Sequence, residues 1–137
     1  MPKKFTYTTS ERLKSEKKIA QLFKVGQSFP AYPLRLIYTI TDSETQTEFP
    51  IQVSFSVPKK KFKLAVDRNL VKRRLRESYR LNKNDVYAKI SAAENETQQF
   101  KNYSFMILYV AKEILSYVEI EKGMKKMLRK FMGEIKK

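Results

Sequence analysis

One segment of this 137-residue chain, residues 58–83, concentrates more positive charge than a folded core can hold. It carries eleven Lys or Arg side chains against two acids, Asp67 and Glu77, and so holds more than half of the formal net charge of +15. On a helix at about 100° per residue, Val71 and Leu75 fall on one side. One arc opposite them collects Asn69, Lys72, Arg73, Arg76, Arg80 and Lys83. The fold must therefore bury one stripe of this helix and leave a ridge of cations outside.

A polyphosphate is the partner that such a ridge fits. Guanidinium groups match phosphate oxygens two at a time, and each neutralised phosphate releases condensed counterions. The alternative is a merely solvated helix face, which is common where acids and bases are mixed at helical spacing. Here one sign occupies one face, and like charges at that spacing destabilise a helix. The arrangement therefore favours nucleic-acid binding.

Composition excludes several kinds of active site. The chain contains no Cys and no His, and its only glycines are Gly26, Gly123 and Gly133. This excludes disulfides and thiol nucleophiles, and it leaves the chain without the usual zinc ligands and the usual general base. A Gly-rich phosphate loop is not possible. The carboxylates are scattered and suggest no two-metal centre. We therefore predict no catalytic residue and no metal ligand in the protein.

The sequence also predicts a cytoplasmic protein without membrane contact. Its longest apolar run, residues 105–111, is far shorter than the ~20 residues of a membrane span. Residues 1–18 contain no apolar core of a secretory signal.

Hydrophobic periodicity predicts one α+β domain over residues 10–135, preceded by a basic flexible N-terminus over residues 1–9. Helices are expected from residue 10 or 15 to 25, over 67–82 with Asp67 as N-cap, and over 116–135; strands are expected over 34–40, 51–57 and 103–111. Residues 27–33 read as a connector with two prolines. Residues 84–100 either extend the central helix or follow it, and they read as a polar, peripheral segment. Gly26 suits the position just after the first helix.

The central segment resembles a known family. The letters VPKK at residues 57–60, followed by AVDRNLVKRRLRE at residues 65–77, are similar to the signature of the protein component of bacterial ribonuclease P. That signature is a strand ending in Lys-Lys, then Ala-Val, then a helix with an Arg-Asn-Arg-x-Lys-Arg-x-x-Arg run. The resemblance covers roughly residues 10–131. Leu70 stands where the family usually has Arg, which puts any contact at that position in doubt.

The resemblance implies a compact α-β-β-β-α-β-α domain. Its mixed four-stranded sheet would have a left-handed βαβ crossover, against the general rule, in a two-layer fold like that of ribosomal proteins. It further implies the non-catalytic protein subunit of an endonuclease that removes the 5′ leader of precursor tRNA. The RNA subunit would hold the Mg²⁺ ions and carry out the hydrolysis.

By the same resemblance, two groups of residues receive roles. The RNA subunit would dock on Lys59, Lys60, Arg68, Asn69, Lys72, Arg73, Arg76 and Arg80. A cleft between the first helix and the sheet would hold the single-stranded leader against Ile19, Phe23, Leu36 and Tyr38. The expected partners are therefore the RNA subunit and precursor tRNA, with no DNA and no membrane.

Three other functions share parts of this pattern. A ribosomal or ribosome-assembly protein would have the same charge, size and fold class. A DNA-binding module would place residues 69–83 in the major groove, although no zipper or helix-turn-helix spacing is present. A membrane-surface helix would need large aromatic side chains on its apolar face, and the central helix lacks them.

Overall fold

The structure is a computed structural model that describes residues 7–47 and 49–135. Within those ranges a short 3₁₀ turn, Thr9–Glu11, precedes eight helices and strands. They are α1 (Glu16–Val25), β1 (Gln27–Ala31), β2 (Leu34–Ser43), β3 (Ile51–Ser56), α2 (Ala65–Asn82), α3 (Asn84–Thr97), β4 (Phe100–Tyr109) and α4 (Tyr117–Ile135). Residues 1–6 of the predicted flexible N-terminus lie outside the described residues, whereas Tyr7 packs against the core.

The four strands form one mixed sheet in the order β1-β2-β4-β3. The long central strands β2 and β4 are antiparallel and pair from Leu34 opposite Tyr109 to Ser43 opposite Phe100. β1 is antiparallel to β2, and β3 is parallel to β4. The predicted fold class is thereby confirmed. The connection between the parallel strands runs through α2 and α3, and its handedness stays a prediction.

Alternation along β2 and β4 gives the sheet two buried faces. Leu36 and Tyr38 of β2 face α2 and α4 in the main core, while Ile37 faces α1. Phe131 of α4 lies at the centre of the main core, with its ring centroid 4.7 Å from that of Phe105 and 5.1 Å from that of Tyr38. Such aromatic pairs add about 0.5–1.5 kcal/mol to the stabilisation from burial. The three larger helices therefore cover one face, and α1 covers part of the other.

The segment predicted as a connector forms strand β1. Its alternation is short and places Phe29 and Ala31 in the core. Pro30 interrupted the pattern in the sequence, but β1 is an edge strand, where a residue without an N–H is tolerated.

The polar segment after α2 is also more than peripheral. It forms a separate helix, α3, which buries Val86 and Ile90 at i, i+4 spacing together with Glu94. The element order therefore contains one helix more than the predicted α-β-β-β-α-β-α order. The many polar residues around this two-residue stripe obscured it in the sequence.

Two predicted helix ends differ in detail. α2 begins at Ala65 after the N-cap residue Leu64, so Asp67 lies in the first turn instead of capping the helix. There its carboxylate faces the positive end of the helix dipole. Gly26 ends α1 in an extended conformation, with φ −69° and ψ 148°. A Cβ there would lie 2.4 Å from the Leu22 carbonyl oxygen and 2.7 Å from Ile37 Cγ2, so close approach and not a left-handed turn requires glycine. Within the described ranges, none of the helices combines the length and the hydropathy that a membrane span requires.

Gly123 provides a test of how closely α4 packs on the turn between β1 and β2. A Cβ at this position would lie 2.5 Å from Pro33 Cδ and 3.0 Å from the Tyr32 carbonyl oxygen. We expect Gly123→Ala to lower the free energy of unfolding by about 1–3 kcal/mol through overpacking. Urea denaturation of the two proteins measures it.

Gly133 supplies the matched control on the same helix, because a Cβ at this position would have no neighbouring atom within 4 Å. Gly133→Ala should leave stability unchanged or raise it by up to ~0.5 kcal/mol, since alanine favours a helix. Equal losses in both variants would contradict the packing explanation.

Candidate nucleic-acid interface

Helix α2 buries one side and exposes the other. Val71 and Leu75 are completely buried in the main core, whereas Asn69, Arg73 and Arg76 are exposed. The predicted amphipathic arrangement is confirmed for these five residues. Because the apolar side is fixed by packing, the exposed cations stand on a rigid element.

The basic loop before α2 extends this surface. Lys59 and Lys60 are exposed. Lys61 donates through Nζ to the Val110 carbonyl oxygen at 3.0 Å. Arg68, which was predicted to bind RNA, donates through Nη1 to the carbonyl oxygens of Phe62 (2.7 Å) and Lys63 (2.9 Å). Arg68 thus fastens the loop to α2.

The last turn of α2 departs from the predicted ridge. Arg80 forms an ion pair with Glu77 one turn earlier, so part of its charge is already neutralised. Lys83 belonged to the predicted arc but is 1% exposed, because the chain leaves α2 there and begins α3. Its ammonium group pairs with the buried carboxylate of Glu11. Lys83 is therefore a residue of the interior and not of the ridge.

The structure does not bring together the four residues of the predicted leader cleft. Leu36 and Tyr38 are 0% and 4% exposed and face α4, on the opposite side of the sheet from α1. Ile19 packs beside Ile37 on the α1 side, and Phe23 on α1 is 58% exposed. The sequence correctly predicts that Leu36 and Tyr38 share one face of β2, but that face packs in the main core and not against α1. The prediction was wrong for Leu36 and Tyr38.

A cleft does lie between α1 and the sheet, and its lining mixes polar groups with apolar surface. It has a volume of about 240 Å³ and includes Lys18, Gln21, Thr39, Gln52 and Ser104. Lys18 Nζ lies 3.4 Å from Gln52 Oε1 across the gap. This cleft offers hydrogen-bonding groups and one cation, and Phe49 and Tyr103 also belong to its lining.

A second, larger depression joins α2 to the chain before α1. We call it the groove; it lies between α2 and the N-terminal segment (residues 7–14) and has a volume of about 500 Å³. Lys72 and Arg76 line it from α2, and Arg12 and Lys14 line it from the segment. The last two were not predicted as site residues. The sequence feature that could have indicated them is the alternation of residues 12–14, in which Arg12 and Lys14 are exposed on either side of buried Leu13.

The electrostatics of the groove suit an anion. Burial raises the pKa of Tyr7 to about 12, although the nearby Arg12 and Arg76 guanidinium groups work against that rise. Tyr7 is therefore a neutral hydrogen-bond donor at physiological pH. Among the described residues, no group of three or more carboxylate, His or Cys side chains is placed to hold a metal ion. These surfaces present cations and hydrogen-bond donors, which are the groups that bind phosphates in proteins.

The two hydrogen bonds of Arg68 give a stability prediction. Arg68→Ala should lower the free energy of unfolding by about 1–2 kcal/mol, because two loop carbonyls lose a charged donor. Exposed Arg73→Ala is the matched control and should change it by less than about 0.5 kcal/mol. Urea denaturation compares them, and an unchanged midpoint for Arg68→Ala would show that the loop does not depend on it.

Comparison with known proteins identifies the family of this chain. The family model "Ribonuclease P" matches residues 7–132. The ribonuclease P protein component of Porphyromonas gingivalis is 36% identical over 137 residues, which covers 98% of this chain and 92% of that protein. That of Chlorobium phaeobacteroides is 41% identical over 78 residues, covering 56% of this chain and 53% of the relative.

Two solved structures share the fold at low sequence identity. The RNase P protein of Thermotoga maritima has a TM-score of 0.61 at 19% identity, over 88% of this chain and 96% of the other. The Staphylococcus aureus protein has a TM-score of 0.57 at 16% identity, over 88% and 94%. The family match and the Porphyromonas relative, both spanning most of the sequence, show that this chain belongs to the ribonuclease P protein component family.

Proposed function

We propose that this protein is the RNA-binding subunit of a ribonuclease P that removes the 5′ leader of precursor tRNA. It docks on the catalytic RNA subunit through α2 and the loop that carries Lys59 and Lys60. The observation that supports this most is the exposure of Arg73 and Arg76 opposite the fully buried Val71 and Leu75. A cationic ridge held by a core is a surface for phosphates. In this proposal the RNA carries the catalysis, and the complex works in the cytoplasm.

The rigidity of the ridge matters for affinity. Side chains on a packed helix lose less freedom on binding than those on a mobile loop, and each neutralised phosphate adds counterion release. Positive charge near crowded phosphates also reduces their mutual repulsion. Mg²⁺ ions, which we assign to the RNA subunit, would then bind at lower bulk concentration.

The proposed path of the leader follows α1. Exposed Phe23 can stack with an unpaired base, and Lys18 in the adjacent cleft can meet the backbone. Leu36 and Tyr38 support this surface only from the other side of the sheet.

The experiment that tests the proposal measures 5′-leader cleavage of precursor tRNA by the cognate RNA subunit at low Mg²⁺. Adding the protein should increase the rate strongly, and the protein alone should not cleave. Tight, salt-sensitive RNA binding without any gain in cleavage would contradict the proposal and favour a ribosomal RNA-binding protein.

A pair of double variants tests the docking surface. Arg73→Gln/Arg76→Gln should weaken binding to the RNA subunit on the order of tenfold or more, because two charge-assisted contacts are lost. The slope of log affinity against log salt should fall by about 1.5–2. Fluorescence anisotropy at several salt concentrations measures both quantities.

The control removes the same charge from the exposed face of α4. Lys126→Gln/Arg129→Gln changes two exposed residues that are remote in sequence from α2. It should alter the affinity less than threefold. Equal losses in both double variants would mean that net charge, and not the α2 ridge, determines binding.

A further inference from the structure

We propose that the groove between the N-terminal segment and α2 binds one unpaired nucleotide of RNA, and that buried Glu11 is the positioning residue that holds its outer wall. The inference rests on the proposed function, because it specifies the chemistry of the RNA at this part of the interface. It concerns residues 7–14, and none of these residues belongs to the binding sites predicted from the sequence.

The outer wall is attached to the edge of the sheet. The Leu13 N–H donates to the Val53 carbonyl oxygen at 3.0 Å, and Arg12 forms a parallel bridge with Val53. The Tyr7 hydroxyl donates to the same carbonyl oxygen at 3.2 Å. The segment therefore continues the sheet beyond β3, and its side chains face Lys72 and Arg76 across the groove.

Aromatic rings line the groove between its cationic walls. The Tyr7 and Phe55 rings meet edge to face, with centroids 5.9 Å apart, and Phe55 is only partly buried. The Arg12 guanidinium carbon lies 5.4 Å from the centroid of Tyr7. A ring and a guanidinium plane are the surfaces on which unpaired bases stack.

The combination distinguishes an unpaired nucleotide from a duplex. Cations on both walls can meet one phosphate from two sides, and the aromatic surface can be used only by a base whose face is free. The bases of a duplex are stacked on each other and would leave Tyr7 and Phe55 unused. The volume of about 500 Å³ lies within the ~300–1,000 Å³ usual for small-molecule sites.

Glu11 fixes the outer wall from inside the protein. Its carboxylate is completely buried. One oxygen accepts from the Thr8 N–H at 3.0 Å and from the Thr8 hydroxyl at 3.2 Å. The other accepts from Lys83 at the end of α2 and from the Tyr87 hydroxyl of α3 at 2.7 Å.

These contacts couple the segment to two helices at once. A buried carboxylate is tolerated only when its charge is paired and its oxygens are hydrogen-bonded. Glu11 meets both conditions only with the 3₁₀ turn docked on α2 and α3. Tyr7 and Arg12, which lie on the two sides of this turn, are thereby held beside the groove before any RNA arrives.

The absence of tryptophan from the sequence permits a direct test. Phe55→Trp introduces a single indole into the groove, and a short single-stranded RNA oligonucleotide should quench its fluorescence in a saturable, salt-dependent way. A Tyr32→Trp protein, with the indole at an exposed position beyond β1, should show little quenching. Absence of quenching at saturating oligonucleotide, or equal quenching by duplex RNA, would overturn the inference.

A second measurement needs no change at Phe55. In an otherwise unaltered chain, Arg12→Gln should weaken binding of a labelled single-stranded oligonucleotide about tenfold, through loss of a stacking and phosphate-binding group. Arg129→Gln on α4 removes the same charge from another exposed site and should have less than a threefold effect. Equal effects would contradict a specific groove.

The role of Glu11 is tested by replacing the buried pair together. Glu11→Gln/Lys83→Met removes both charges and so avoids leaving one of them unpaired in the core. We expect a cooperative thermal unfolding transition, but oligonucleotide affinity reduced to the level of Arg12→Gln. Adding Arg12→Gln to this protein should then cause little further loss. Unchanged affinity, or fully additive losses, would show that Glu11 does not position the wall.

Leader cleavage separates this inference from the proposed function. If the wild-type protein stimulates cleavage but Arg12→Gln behaves like Arg129→Gln in the oligonucleotide assay, the groove inference fails alone. If the wild-type protein gives no stimulation, the proposed function fails regardless of what the groove binds.

Discussion

The structure depends on the burial of both faces of the central strands β2 and β4. Each strand alternates residues that face α2 and α4 with residues that face α1. A sheet with two apolar faces needs cover on both sides. The three larger helices form one layer and α1 the other, and this division decides which side of every helix is left to the solvent. The ridge on α2 is exposed because Val71 and Leu75 on its other side complete the main core.

The sequence predicted those features that a single element encodes. The period of Val71 and Leu75 against Arg73 and Arg76 sets the orientation of α2 without any knowledge of its neighbours. The alternation of β2 was also readable, since Leu36 and Tyr38 share one face. Which layer covers that face is not a property of the strand, and the assignment of these two residues to the α1 side therefore failed. Ile37, one position away, has the environment that was expected for them.

Features formed by distant parts of the chain were the least predictable. The ion pair between Glu11 and Lys83 joins residues 72 positions apart. On a helical wheel Lys83 is indistinguishable from the exposed cations of α2, and only the arrival of Glu11 and the turn into α3 places it in the interior. Helix α3 also depends on contacts with distant parts of the chain. Its Glu94 accepts from the Lys101 N–H at 3.2 Å and from Gln46 Nε2 at 3.3 Å. This helix organises a loop and a strand start as well as the N-terminal segment.

The attachment of the N-terminal segment to β3 also covers part of an exposed strand edge, which favours solubility. β1 and β3 are the outer strands of the sheet, and an uncovered strand edge is a template for pairing with another chain. β1 contains Pro30, which has no N–H to offer, and β3 is partly covered by Arg12 and Leu13. Release of the segment would uncover the backbone of β3 beside the apolar side chains of Val53 and Phe55. The contacts that complete the groove thus also keep one molecule from extending its sheet into the next.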